Sequence, residues 1–113
     1  MLTVISGNID AILQQISGST VNEIGERIPT WEDAHHIRGW LDWSSGNSQY
    51  TYDTKLQEST HIFLCDYVAL DRKPAGKRLI VGGKVYDVIL IDDPMELHQQ
   101  LEIYLKYVGD VDA

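Results

Sequence analysis

Residues 78–108 read RLIVGGKVYDVILIDDPMELHQQLEIYLKYV, and they decide the fold. Two apolar runs, 78–81 and 84–91, flank Gly82-Gly83. Both central positions of a two-residue hairpin loop favour positive φ, which glycine adopts at little steric cost. The pair therefore predicts a β-hairpin. In the second run Tyr86, Val88 and Leu90 form one apolar face, and Val85, Ile89 and Ile91 share the other with Asp87. The closing segment admits two readings. Met95, Leu97, Leu101, Tyr104 and Leu105 make a helical stripe. Leu101, Ile103, Leu105 and Tyr107 alternate strictly with Glu102, Tyr104, Lys106 and Val108, which favours a strand. The favoured reading is a helical turn at residues 94–99 followed by a strand. Pro94 suits the first position of such a turn and drives Asp93 extended.

Upstream, residues 61–68 (HIFLCDYV) are apolar on both faces apart from Asp66, the pattern of a central strand. Residues 37–43 (IRGWLDW) read as another strand. Ile37, Leu41 and Trp43 point one way, and Arg38, Trp40 and Asp42 the other. Gly39 within it marks a bulge or a close backbone approach. An edge strand is expected near residues 26–31. At the N-terminus Ile9, Ile12, Leu13 and Ile16 follow the spacing of one helix face, with Asn8 as N-cap and Gly18 as stop. So short a helix is marginal in water and must dock, which makes those four residues a candidate docking arm. The expectation is one mainly-β domain over residues 1–113. It comprises a small antiparallel β-barrel at 25–109, a helical arm at 1–18 and a helical turn before the last strand.

The chain has 113 residues, enough for one self-sufficient core. Its net charge is −8, from 17 acidic and nine basic residues. Nucleic-acid binders gain affinity by neutralising phosphates with clustered Lys and Arg, and this field does the opposite. The one basic stretch, residues 72–78, reads as a solvated turn rather than a phosphate contact. A single cysteine, Cys65, rules out an internal disulfide framework and fits synthesis in a reducing compartment. No apolar run approaches the ~20 residues of a membrane span, and MLTVISGNID lacks the basic n-region of a secretory signal.

The residues that could do chemistry do not group. His35 and His36 are adjacent, which is not the spacing of a zinc pair on a strand or helix. His61 and His98 are isolated. Asp92, Asp93 and Glu96 around Pro94 read as carboxylates at the start of a short helix rather than a hard-cation site. Cys65 lies in the most apolar strand, where burial disfavours a thiolate. Ser44, Ser45 and Ser48 lack a nucleophile-elbow context, and no phosphate-binding or dinucleotide motif is present. The aromatics have acidic neighbours and suit a core or a protein interface. No catalytic, cofactor-binding or metal site is expected.

Three segments carry a family resemblance: ESTHIFLCDY at 58–67, RLIVGGKVYDVILIDDPMEL at 78–97 and LEIYLKYVG at 101–109. In that order, after a Trp-containing strand and a Ser/Gly loop, they resemble the head–tail joining proteins of long-tailed bacteriophages. These are also called head-closure or stopper proteins, and the chain is similar to versions from defective prophages of Gram-positive bacteria. The likeness runs over residues 25–109 and rests on fold-pattern motifs, not catalytic ones.

The resemblance implies a structural virion component and not an enzyme. It implies a homo-oligomeric ring of about twelve copies in the particle, between the portal-side adaptor and the tail proteins, and allows a monomer for the isolated chain. DNA would pass through or be retained without sequence-specific binding, and no membrane would be involved. The location would be the host cytoplasm during assembly, then the head–tail junction. The long loop at 44–58 would project into the channel. Its Ser44, Gly46, Gln49, Tyr50, Thr51, Tyr52, Asp53 and Lys55 would line the channel or pair with neighbouring copies. The other readings are a tail terminator or tail-completion protein and, from a different class, a small metal-dependent hydrolase using His35, His36, Asp92 and Asp93.

Overall fold

The computed structural model describes residues 7–43 and 59–111. Among the described residues six strands run in chain order: β1 (Ile9–Val21), β2 (Arg27–Trp43), β3 (His61–Asp66), β4 (Lys77–Val81), β5 (Lys84–Asp92) and β6 (Gln100–Asp110). All pairs are antiparallel, and the sheet closes in the order β1-β2-β3-β6-β5-β4 with β4 returning to β1. Closure pairs the edges that an open sheet would leave exposed.

The β4–β5 hairpin forms as the glycine pair requires, with Gly82 and Gly83 at φ of 56° and 80°. The expected central strand is β3, bonded on both sides, to β2 and to β6. A single 3-10 turn at Pro94–Glu96 precedes β6. The expected edge strand at 26–31 and the strand at 37–43 are parts of one long strand, β2. Gly39 marks a close approach, since a Cβ there would overlap the Leu64 carbonyl oxygen.

The N-terminal helix is corrected to a strand. Residues 9–21 form β1, which bonds to β2 and, through Ala11–Gln15, to β4. Helical and strand spacing overlap in this segment, because Ile9, Ala11 and Leu13 also alternate. Isoleucines and the run Ser-Gly-Ser-Thr-Val disfavour a helix, and β1 supplies the pairing that closes the barrel. Ile9, Ile12, Leu13 and Ile16 consequently do not form one docking face. Leu13 lies in the core, Ile9 packs against it, Ile12 is half-buried and Ile16 is exposed.

The core is a layer of inward side chains from every strand, with Leu13, Phe63, Leu79, Leu101, Ile103 and Leu105 fully buried. A register shift between Val88 and Leu90 exchanges the faces of β5. Ile91 is therefore buried and Leu90 only partly so, the reverse of simple alternation.

The molecule measures 54 × 30 × 24 Å. Much of the long axis is the β1–β2 ribbon. β4 pairs with β1 only as far as Gln15, and β3 reaches β2 only from Gly39 onward. Beyond Ile16 and Trp31 the two strands pair only with each other among the described residues.

Candidate functional site

The barrel has two chemically distinct ends. One carries the arm tip, the loop at 67–76 and the 3-10 corner. The other carries residues 7–8, the Gly82-Gly83 turn, the end of β6 and both anchors of the segment 44–58.

The second end is built around aromatic rings. Trp43, 78% exposed, stacks on His61 at 4.6 Å. His61 meets the edge of Tyr86 at 5.1 Å, and Tyr86 leans on Tyr107 at 5.5 Å. Thr60 ties the far anchor down. Its N–H donates to the Leu105 carbonyl at 2.7 Å, and its Oγ1 accepts the Tyr107 N–H at 2.8 Å. Burial pushes the His61 imidazole below its usual value, which favours the neutral ring at pH 7. Burial likewise raises the Tyr86 phenol. The segment 44–58 thus leaves and rejoins the barrel at fixed points. Ser44, Gly46, Gln49, Tyr50, Thr51, Tyr52, Asp53 and Lys55 themselves lie outside the described residues.

The opposite end is organised by one carboxylate. Asp93 is almost fully buried at the start of the 3-10 corner. Its Oδ1 accepts the His98 N–H at 3.0 Å, its Oδ2 bonds the His98 Nδ1, and Arg72 Nη1 stands 3.9 Å away. Burial works to raise the Asp93 carboxyl. The His98 hydrogen bonds and the charges of His98 and Arg72 outweigh it and hold the group below the usual carboxylate value. The corner contains three non-glycine residues at φ of 55°, namely Met95, Glu96 and His98. Such backbone persists only where surrounding contacts fix it, and the Asp93 bonds supply them. The sequence places Asp93 among carboxylates at the start of a short helix; its side chain makes no cap bond to that turn and instead ties down His98, downstream. The Asp-Pro corner followed by a histidine is the signal that points to this link.

The basic stretch is solvent-exposed at Arg72, Lys73, Ala75 and Gly76, as the sequence suggests, but its C-terminal end, Lys77 and Arg78, is tied to the barrel. Lys77 is buried, and its Nζ donates to the Lys73 carbonyl at 2.6 Å and to Asp71 at 3.3 Å. Asp71 is held below its usual value by the Lys73 N–H first and then by the Lys77 ammonium. Arg78 donates to Gln14 at 2.7 Å and lies 4.2 Å above the Trp31 ring. Cys65 is buried, and burial, reinforced by the Asp66 charge, pushes its thiol up to about 12. His35 and His36 sit opposite Leu13 and Ile12 in the β1–β2 ladder, while Asp92 sits opposite Glu102 at the far end of β5. Among the described residues no three His, Cys, Asp or Glu side chains form a metal-holding group. Among them, too, no helix is long and apolar enough to cross a membrane.

The family model for the phage head completion protein matches residues 11–106, most of the chain. The chain belongs to the phage head completion protein family. Its matched span begins inside β1 and ends inside β6, so it takes in all six strands and both ends of the barrel. The chain is similar in fold to protein SF1141 from Shigella flexneri 2a, known from a solution structure. The TM-score is 0.60 at 23% identity, covering 90% of this chain and 95% of that one. No curated protein matches. A head completion protein has a structural role in finishing the phage head, and that role implies contact with head and tail components.

Proposed function

We propose that the chain is a head-closure, or stopper, subunit: copies form a ring beneath the portal-side adaptor, and that ring holds DNA until the tail is joined. The family match over residues 11–106 carries the reading. Two physical features support it. The segment 44–58 is held at both ends, by Trp43 stacked on His61 and by Thr60 bonded to β6. A loop so anchored can be aimed by the barrel. In the proposed ring it points into the channel, with Ser44, Gly46, Gln49, Tyr50, Thr51, Tyr52, Asp53 and Lys55 lining it or pairing with neighbouring copies. The net charge of −8 also suits a channel that must block DNA without gripping it.

On this reading the subunit works without catalysis or cofactor. It acts in the host cytoplasm during assembly and then at the head–tail junction of the particle. The ring has about twelve copies, closed by repeated head-to-tail contacts. The test is to mix the purified chain with portal rings carrying their adaptor and to image the product. A ring seated on the adaptor supports the proposal. Binding to tail-tube protein instead of the adaptor would reassign the chain to tail termination or completion.

A further inference from the structure

The β1–β2 arm ends in a rigid turn that displays one apolar side chain. Asn22 organises it: Oδ1 accepts the N–H of Ile24 at 3.1 Å and of Glu26 at 2.9 Å, and the Asn22 N–H donates to the Glu26 carbonyl at 2.9 Å. Gly25 supplies the positive φ, 84°, that closes the turn. Ile24 stands 77% exposed between Glu23 and Glu26. An isolated two-stranded ribbon is marginal in water, so an exposed isoleucine fixed at its tip is a poor use of residues unless something covers it.

At the base of the same arm lies a groove of about 460 Å³. Its floor is largely apolar, from Ile16, Trp31, Val88 and Ile89, with Asp87 beside them. One wall is the loop from Pro74 to Lys77, and Lys73, the residue before it, is exposed. The knob is apolar and flanked by carboxylates; the groove is apolar and bordered by an exposed lysine. The arm's own tip cannot reach it. Five residues of extended strand, roughly 17 Å, separate Ile16 from Val21. The antiparallel pairing of β1 with β2, out to Val21 and Arg27, keeps the ribbon extended.

We infer that the arm tip, Glu23 to Glu26, seats in the groove of a second copy of this chain, with Ile24 on the apolar floor and Glu23 or Glu26 against Lys73. The contact joins two different patches, so it is head-to-tail and repeats from copy to copy, as a ring requires. It rests on the ring proposal and names a subunit contact for it, separate from the loop at 44–58.

The test is disulfide trapping on the purified full-length chain. An Ile24→Cys variant is mixed with an Ala75→Cys variant under mild oxidation. The control mixes Ile24→Cys with Val108→Cys, which is also exposed but at the other end of the barrel. All three sites are on the surface, so the variants fold, and the melting curve of each checks this. Buried Cys65 does not compete. The Ile24→Cys/Ala75→Cys heterodimer is expected to form at least about ten-fold faster than the control, because docking raises the effective concentration of one thiol at the other while cysteine still offers the floor a small apolar side chain. Lys73→Glu in the groove partner should slow it, and adding Glu23→Lys and Glu26→Lys in the arm partner should restore it. Equal rates for test and control overturn the inference. So does faster Ile24→Cys self-coupling, which would mean tip-to-tip pairing. Either failure leaves adaptor binding, and with it the stopper reading, to stand on its own imaging test.

Discussion

Truncating Leu13 separates a strand from a helix at the N-terminus. Leu13 is 0% exposed and belongs to the same buried layer as Phe63, Leu79, Leu101, Ile103 and Leu105. Leu→Ala at a fully buried site costs about 3–5 kcal/mol, lost transfer energy plus the cavity left behind. A domain of this size has roughly 5–15 kcal/mol in all. Leu13→Ala should therefore lower the melting temperature by about 10–20 °C. Ile12, one residue away, is half-buried on the outer face, and Ile12→Ala should cost about 1 kcal/mol. The assay is urea unfolding followed by tryptophan fluorescence, with the slope of the transition unchanged among variants. A helix presenting Ile9, Ile12, Leu13 and Ile16 on one buried face would make the two substitutions comparably costly. Equal losses for Ile12→Ala and Leu13→Ala would refute the strand assignment.

Gly39→Ala should destabilise by at least about 1–3 kcal/mol, because the added Cβ meets the Leu64 carbonyl and neither backbone can yield easily; thermal melting reads this directly. Cys65 should resist thiol reagents in the native state and react at the rate of unfolding; prompt labelling without denaturant would contradict its burial. Asp93 titrates lower in the folded chain than in the unfolded one, so its contribution is fully present above the unfolded carboxylate value, about 3.9, and is lost as pH falls through the folded value. Asp93→Asn should be less stable than the parent at neutral pH, with a gap that narrows in acid; a gap constant down to about pH 2 would show that Asp93 is not the group responsible.

Much of the barrel is legible in the sequence where one signal decides alone. Gly82-Gly83 fixes β4–β5, strict alternation fixes β6, and two-sided apolarity fixes β3. The N-terminus is not legible this way. Ile9, Ile12, Leu13 and Ile16 fit a period of 3.6, while Ile9, Ala11 and Leu13 fit a period of 2. Only pairing with β2 and β4, far along the chain, selects the second. Bulges hide the rest: the shift near Ile89 swaps the expected faces of β5, and shifts after Leu13 and Ile16 blur β1. In the Asp93 hub the link to His98, five residues on, is local, whereas Arg72 arrives from a separate loop that spacing alone does not bring there. The arm is hidden because its turn-rich sequence, with Gly18, Gly25 and Pro29, looks irregular until its two strands are seen paired.

The most direct measurement of the proposed role uses DNA-filled heads assembled without this chain. Purified protein is added back, and the fraction of packaged DNA protected from nuclease is measured, followed by tail attachment. Protection and tail joining that both depend on the added protein are the expected result. Heads that keep their DNA and accept tails equally well without it would contradict the stopper function.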